Sequence, residues 1–416
     1  MDPQASGGAA PAALRAAWAE HRLPLMAALV AQLGDLDRAE EALSEAALRA
    51  QRSWAAAIPA NPSGWLYRVA LNVARDSLRA EARRGAAEPI LRQHLTPSQN
   101  DGPGDVLDDA LEVTPAARLD LFSLCADPVL SQEQQIALML FHLAGLDCSA
   151  IAKAFLVPET TIYQRLSRAR AKLKERSPAI AGKPDLSAVR SSLELIYLQS
   201  YRNLDGGVET DALGRDALQL TAALCRAADT DGENWALLAL LLCLDARRPA
   251  RLDQDGQFIP FSVQDPSHWS SSGLIRAAAA MKRTAILADG PEPYGLRAQI
   301  ELTRMIARRE GEPCDVVLLS LYDALIALTN APYAAMDRAL VLARLQGPRS
   351  GLAALDAIET QGDLSGHAGW HLAKADLHVQ IGDIAQARLH MKAALTLIDG
   401  PAERAFVSSR FNALSA

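Results

Sequence analysis

The stretch Leu146 to Arg176, LDCSAIAKAFLVPETTIYQRLSRARAKLKER, constrains the chain more than any other. It reads as two short helices joined tightly, the second opening at Pro158 and running into a basic tail. Ile162, Leu166, Ala169 and Leu173 recur at helical spacing and make one apolar stripe. Thr160, Thr161, Gln164, Arg165, Arg168 and Arg170 are the polar and basic groups that this helix can turn outward. Two helices at this spacing suggest a helix-turn-helix that lays its second helix in a DNA major groove. An ordinary amphipathic helix with a solvated cationic face is the plainer alternative.

The rest of the chain must house that motif. With 416 residues it is too long for a single core. Ala, Leu and Arg are abundant, while aromatic and β-branched residues are sparse, so an all-α fold is expected. The net charge of -7 excludes binding to nucleic acid through bulk positive charge, so any DNA contact must come from local patches. Five scattered cysteines form no CxxC pair; they read as buried hydrophobes in a reducing compartment. The N-terminus does not pattern as a signal peptide, and the longest apolar run, Trp235 to Leu244, is too short to span a bilayer. The expectation is a soluble cytoplasmic protein with no membrane association.

Leu25, Leu29 and Leu33 mark one side of an opening helix or helix pair, which Gly34 breaks. Asp35 or Asp37 can cap the next helix, with Glu40 three residues after Asp37 in the manner of a capping box. That helix carries Glu40, Glu41, Ser44 and Glu45 as an exposed stripe: a solvated face, or a docking surface for a basic partner helix. Trp54 to Ser63 reads as a loop on its two prolines.

PSGWLYRVALNVARDSLRAEARR follows. Leu66, Val69, Ala70, Val73 and Leu78 are its expected buried side. Arg68, Asn72, Arg75, Arg79 and Arg83 line another face, and the planar fork of arginine suits phosphate. Trp65 and Tyr67 beside them could stack on an unpaired base. A helix with Trp65 in the core and its arginines in water is the other reading. From Gly85 to Pro115 the chain turns rich in Pro, Gly and Asp, the mark of an acidic linker. Ser131 and Gln134 then form a capping box for a helix whose Ile136, Leu140 and Leu143 can pack behind the helix-turn-helix.

In this order the parts resemble a bacterial sigma factor of the sigma-70 family, extracytoplasmic-function class, over roughly residues 10–177. TTIYQRLSRARAKL is the most specific segment. The resemblance implies a region 2 over 10–86, a linker over 87–115 and a region 4 over 116–177. By it, Asp37, Glu40, Glu41, Ser44 and Glu45 dock on core RNA polymerase. Asn61, Trp65, Arg68, Asn72, Arg75 and Arg79 engage the melted promoter element, residues 57–63 being the loop that captures a flipped base. Thr160, Thr161, Gln164, Arg165, Arg168 and Arg170 read the upstream element of the promoter DNA. Two departures stand out: Leu156 occupies the turn where many relatives have Gly, and Glu41 and Ser44 replace the Asp and amide often seen on the docking face.

The chain continues well past the end of such a factor. Residues 184–416 read as helical, with a tetratricopeptide-like pair around Gly382-Asp383 and a looser one around Gly347-Pro348. The resemblance implies the subgroup with a large C-terminal tetratricopeptide-like domain that controls or supports activity, including by intramolecular contact with the sigma parts. Asp245 to Trp269, with Arg247, Arg248, Arg251, Asp253, Asp255, Asp265 and His268, reads as a loop satisfied by internal salt bridges, or as a ligand site. His367, His371, His378 and His390 fall on helices, and a metal pair among them is not supported by any carboxylate or Cys in register. Nucleotide-binding, hydrolase and metalloprotease motifs are absent from the sequence, so no cofactor, metal or catalytic residue is expected. The alternative function is a helical-repeat interaction scaffold with a secondary DNA-binding half.

Overall fold

The computed structural model describes residues 6–55, 57–83, 114–155, 157–175, 184–204, 207–359, 364 and 366–414. Residues 87–113 of the expected acidic linker, and Leu156, lie outside the described residues, and the expected linker ends one residue early, because Pro115 already opens a helix. Helices carry the described fold, and the one β feature among those residues is an isolated bridge between Leu252 and Phe258. The all-α expectation holds. The chain forms two compact units, residues 1–197 with 206–223, and residues 198–205 with 224–416.

In the first unit, α1 (Ser6–Leu33), α2 (Leu36–Ser53) and α3 (Pro62–Arg83) pack on one another. α1 is one helix, closed by Gly34 in the left-handed region at φ 68 and by its N–H donating to the Val30 carbonyl. Leu25, Leu29 and Leu33 are buried as expected. α2 contributes Ala39, Leu43, Ala46 and Ala50, spaced to run down a single side. Small residues let helix axes approach closely, and α3 buries Leu66, Ala70, Ala74 and Leu78 where it packs on α1 and α2. This corrects the stripe read from sequence: Val69 and Val73 are only half-buried.

The cap of α2 is Asp35, whose carboxylate accepts from the Arg38 N–H; the box expected from Asp37 and Glu40 does not form. The loop after α2 is shorter than Trp54 to Ser63, because Asn61 caps α3 and Pro62 and Ser63 already belong to it.

α4 (Pro115–Cys125), α5 (Gln132–Leu138), a π-helical turn (Met139–Leu143), α6 (Cys148–Phe155) and α7 (Glu159–Glu175) follow in the same unit. Ser131 and Gln134 form the expected reciprocal capping box on α5. Ile136, Leu140 and Leu143 are buried. The unit runs on into α8 (Leu186–Arg202) as far as residue 197 and α9 (Gly207–Ala227) as far as residue 223, where Ser192 donates to the Met139 sulfur at 3.1 Å and Arg118 pairs with Asp216 at 3.0 Å.

The second unit is built of helices that pack mostly on their neighbours in the chain. They are α10 (Gly232–Ala246), α11 (Ser271–Leu287), α12 (Pro293–Glu310), α13 (Asp315–Thr329), α14 (Pro332–Gln346), α15 (Pro348–Glu359), α16 (Ala368–Gln380), α17 (Ile384–Leu397) and α18 (Pro401–Ala413). α10 holds the long apolar run and is buried all round. Its Glu233 carboxylate accepts from the N–H groups of Tyr294 and Gly295, capping α12 from a neighbouring helix. Gly347 at φ 94 and Gly382 at φ 78 make the two turns expected between helix pairs. No described helix is long and apolar enough to cross a membrane.

Candidate nucleic-acid interface

α6 and α7 form the helix-turn-helix. Asp147 accepts from the Ala150 N–H at the start of α6, and the Pro158 carbonyl accepts from the Thr161 N–H at the start of α7. Ile162, Leu166 and Ala169 are buried against α5 and α6, so the opposite face of α7 is forced outward. Thr160, Gln164 and Arg168 are exposed there, and Thr161 is half-exposed. Tyr163 joins them on the surface; its hydroxyl donates to Glu159, and that hydrogen bond, with the carboxylate's charge behind it, raises the phenol above its ordinary range. Arg165 lies 4.9 Å over the Phe155 ring, which orients the guanidinium while shielding part of it. Arg170 differs from the rest: its Nε stands 2.9 Å from Asp37 of α2.

α3 offers the second basic face. Arg68, Asn72 and Arg79 are exposed, and Arg75 is half-buried. Arg79 pairs with Asp76 one turn back, at 3.3 Å. Trp65 is half-buried, with its edge against the fully buried Trp54 at 5.6 Å between ring centroids. Asn61 is exposed, but its side-chain oxygen is committed to the N–H of Gly64 and the hydroxyl of Ser63. The structure therefore brings Trp65, Arg68 and Asn72 onto one surface and gives Asn61 a capping task besides.

The acidic stripe of α2 is not the open surface read from sequence. Glu41 is exposed, and Glu45 pairs with Arg49 within the helix at 2.9 Å. Glu40 is turned inward, paired with Arg22 at 2.8 Å and accepting from the Ser44 hydroxyl. Burial alone would raise the Glu40 carboxyl, but hydrogen bonding with His142 and the charge of Arg22 outweigh it and hold the group below its ordinary value. His142, fully buried, lies 3.7 Å from Asp37 and 3.9 Å from Glu40. Arg22 and His142 were missed in the sequence because each is a lone polar residue on an otherwise apolar helical side, and nothing in spacing pairs them with α2.

Within the second unit, the Asp245 to Trp269 segment is loop-rich with short 3-10 turns; the Arg248–Asp245 ion pair is internal to it, but its other arginines are tied to helices outside the segment. Arg251 is buried, donates to the Tyr201 carbonyl and faces Glu403 at 3.5 Å. Arg247 lies 3.6 Å from Glu301, a buried carboxylate: burial opposes its charge, and Arg247 and Arg304 more than offset that. Asp253 accepts from the N–H groups of Asp255 and Gln257, closing a turn at Gly256. His371 and His390 bring their Nδ1 atoms to 3.1 Å, while His367 caps α16. Among the described residues no group of three or more His, Cys, Asp or Glu is placed to hold a metal ion.

Residues 18–84 match the model of sigma-70 region 2, and residues 128–173 match that of sigma-70 region 4. Residues 185–286 match a family of unknown function. An uncharacterized protein of Rhizobium meliloti (strain 1021) is 32% identical over 400 residues, spanning 94% of this chain and 93% of that protein. No solved structure matches the chain. The matches to sigma-70 regions 2 and 4, falling on the three-helix domain and the helix-turn-helix, make the chain a member of the sigma-70 family, a sigma factor of transcription initiation with an additional C-terminal domain.

Proposed function

We propose that the chain binds core RNA polymerase through α2 and directs it to particular promoters by a two-point grip on DNA. Glu41, Ser44 and Glu45 contact polymerase first, with Asp37 and Glu40 completing that surface. The Trp65, Arg68, Asn72, Arg75 and Arg79 face of α3, with Asn61 at its head, engages the melted element. Thr160, Thr161, Gln164, Arg165, Arg168 and Arg170 of α7 read the upstream element. The residues provide positioning and charge, and the chemistry of RNA synthesis belongs to polymerase. The C-terminal helices, in the manner of tetratricopeptide-like pairs, regulate or support this activity.

The observation that carries the reading is the outward face of α7. Thr160, Gln164 and Arg168 are free of the core because Ile162, Leu166 and Ala169 are buried beneath them. Short polar and guanidinium groups on a helix supported in this way are what base edges and phosphates in a major groove select. The test is transcription in vitro with the full chain, core polymerase and a promoter found by mapping transcripts after overexpression. Open-complex formation is expected, and failure of the chain to bind core polymerase removes the proposal.

A further inference from the structure

Arg22 is an odd residue for α1. It is 7% exposed, and it projects from the region 2 domain into region 4. There its Nη2 donates to the carbonyls of Phe141 and His142, at 3.4 and 3.2 Å, in the π-helical turn that ends the α5 segment. The carbonyls at a helix C-terminus carry partial negative charge and lack partners within the helix, so a buried guanidinium is a strong cap for them. Gly145 makes the room: it is left-handed at φ +70, and a Cβ there would lie 2.3 Å from Arg22 Nε. Trp18 flanks the same guanidinium at 4.8 Å.

The same group anchors a charge network. Arg22 pairs with Glu40, His142 is enclosed by Asp37 and Glu40, and Arg170 reaches Asp37 and His142. Two of the α2 residues given to polymerase and one of the α7 residues given to DNA are thus spent on each other.

We propose that Arg22 is a latch that holds regions 2 and 4 in a closed form, in which Asp37, Glu40 and Arg170 are withheld from polymerase and promoter. The inference rests on the docking role proposed above for α2. Opening withdraws Arg22 from the Phe141 and His142 carbonyls, parts Asp37 from Arg170 and takes His142 away from both carboxylates, while Arg22 and Glu40 stay together within region 2. Polymerase binding then draws on an open form that is the minor species, and its apparent affinity falls by the open fraction.

The test compares full-length wild type, Arg22→Gln and Gly145→Ala; neither substitution changes a residue assigned to polymerase or DNA. Amide exchange over residues 139–146, which includes the Ala144 and Leu146 N–H groups bonded to Met139 and Leu140, reports closure. Binding of core polymerase to labelled chain reports availability of α2. Both variants are expected to exchange faster there and to bind core at least about fivefold tighter, the lower end of ordinary coupling between sites. Faster exchange with unchanged affinity overturns the latch and leaves the proposed function standing. Faster exchange with no chain, wild type included, binding core overturns the proposed function, and the latch with it. Should both variants misfold, wild type decides alone: saturating core polymerase is expected to speed exchange over 139–146, and unchanged exchange overturns the latch.

Discussion

Arg170 of α7 and Asp37 of α2 form an ion pair with 2.9 Å between Nε and Oδ1. Both side chains are about a third exposed, so water and salt weaken the attraction. A double-mutant cycle on Asp37→Asn and Arg170→Gln should give a coupling of about 0.5–1 kcal/mol in urea melts at low salt. The coupling should fade as salt is raised. A coupling that survives high salt would mean the pair is more deeply desolvated than its exposure indicates.

Glu40 sets a pH dependence. Its carboxyl is held below its ordinary value, so the folded form binds the proton less readily than the unfolded chain. Stability from this group is therefore present above the ordinary glutamate range near pH 4.5 and is lost as the pH falls through the depressed folded value. The charges facing it are Arg22 and His142, with Asp37 on the far side of the imidazole. Wild type should be more stable than Glu40→Gln at neutral pH, and the gap should shrink in acid. Urea melts of both proteins across that range check it, and a gap that widens in acid contradicts it.

Much of this architecture was legible because helical periodicity reports burial one helix at a time. The stripe of α7 and the capping box at Ser131 and Gln134 are local patterns, and both form. In α3 the pattern misled: Val69 and Val73 looked like core, yet Ala74 is buried and they are not, since close approach of helices favours a small side chain over a large one. The inward turn of Glu40 was not legible at all. Its partner Arg22 is 18 residues away on another helix, and His142 belongs to another domain. Nor does spacing separate Arg168, which is exposed, from Arg165, which rests on Phe155.

That last contrast gives two different outcomes for two arginines of α7. Arg168→Ala should weaken promoter binding by about 1–3 kcal/mol if it reads a base, or lower the salt slope by about one if it meets a phosphate. Its melting temperature should match wild type. Arg165→Ala should weaken binding and also lower the melting temperature, because the stacking on Phe155 is lost. Filter binding at several salt concentrations with thermal melts separates them.

Truncation should expose where the first unit ends. A cut after residue 176 removes α8, including the buried Ala188, Val189 and Leu193 and the Ser192 hydroxyl on Met139. Each large apolar side chain lost from such a site costs about 2–5 kcal/mol, so the short product should be unstable or insoluble. A cut after Ala227 keeps α8 and α9 and should give a cooperative melt. A stable, cooperative product from the shorter cut would contradict the packing of α8 in this unit.

Gly351 tests the second unit. It lies in α15 where a Cβ would be 2.5 Å from the Ala343 Cβ, 3.0 Å from the Ala339 carbonyl oxygen and 3.0 Å from a Leu377 methyl. On an open helix, Gly→Ala stabilises by roughly 0.5–1 kcal/mol. Here two of the obstructing atoms are held by α14 itself, so the helices must separate and disturb the core of Leu352, Leu355, Trp370 and Leu377. Overpacking of that kind costs about 1–3 kcal/mol, which outweighs the gain in propensity. Gly351→Ala should therefore lower the stability of the second unit, whereas Gly351→Ser should lower it further. A melt in which Gly351→Ala is stabilised would show that α14 and α15 are farther apart than their backbones place them.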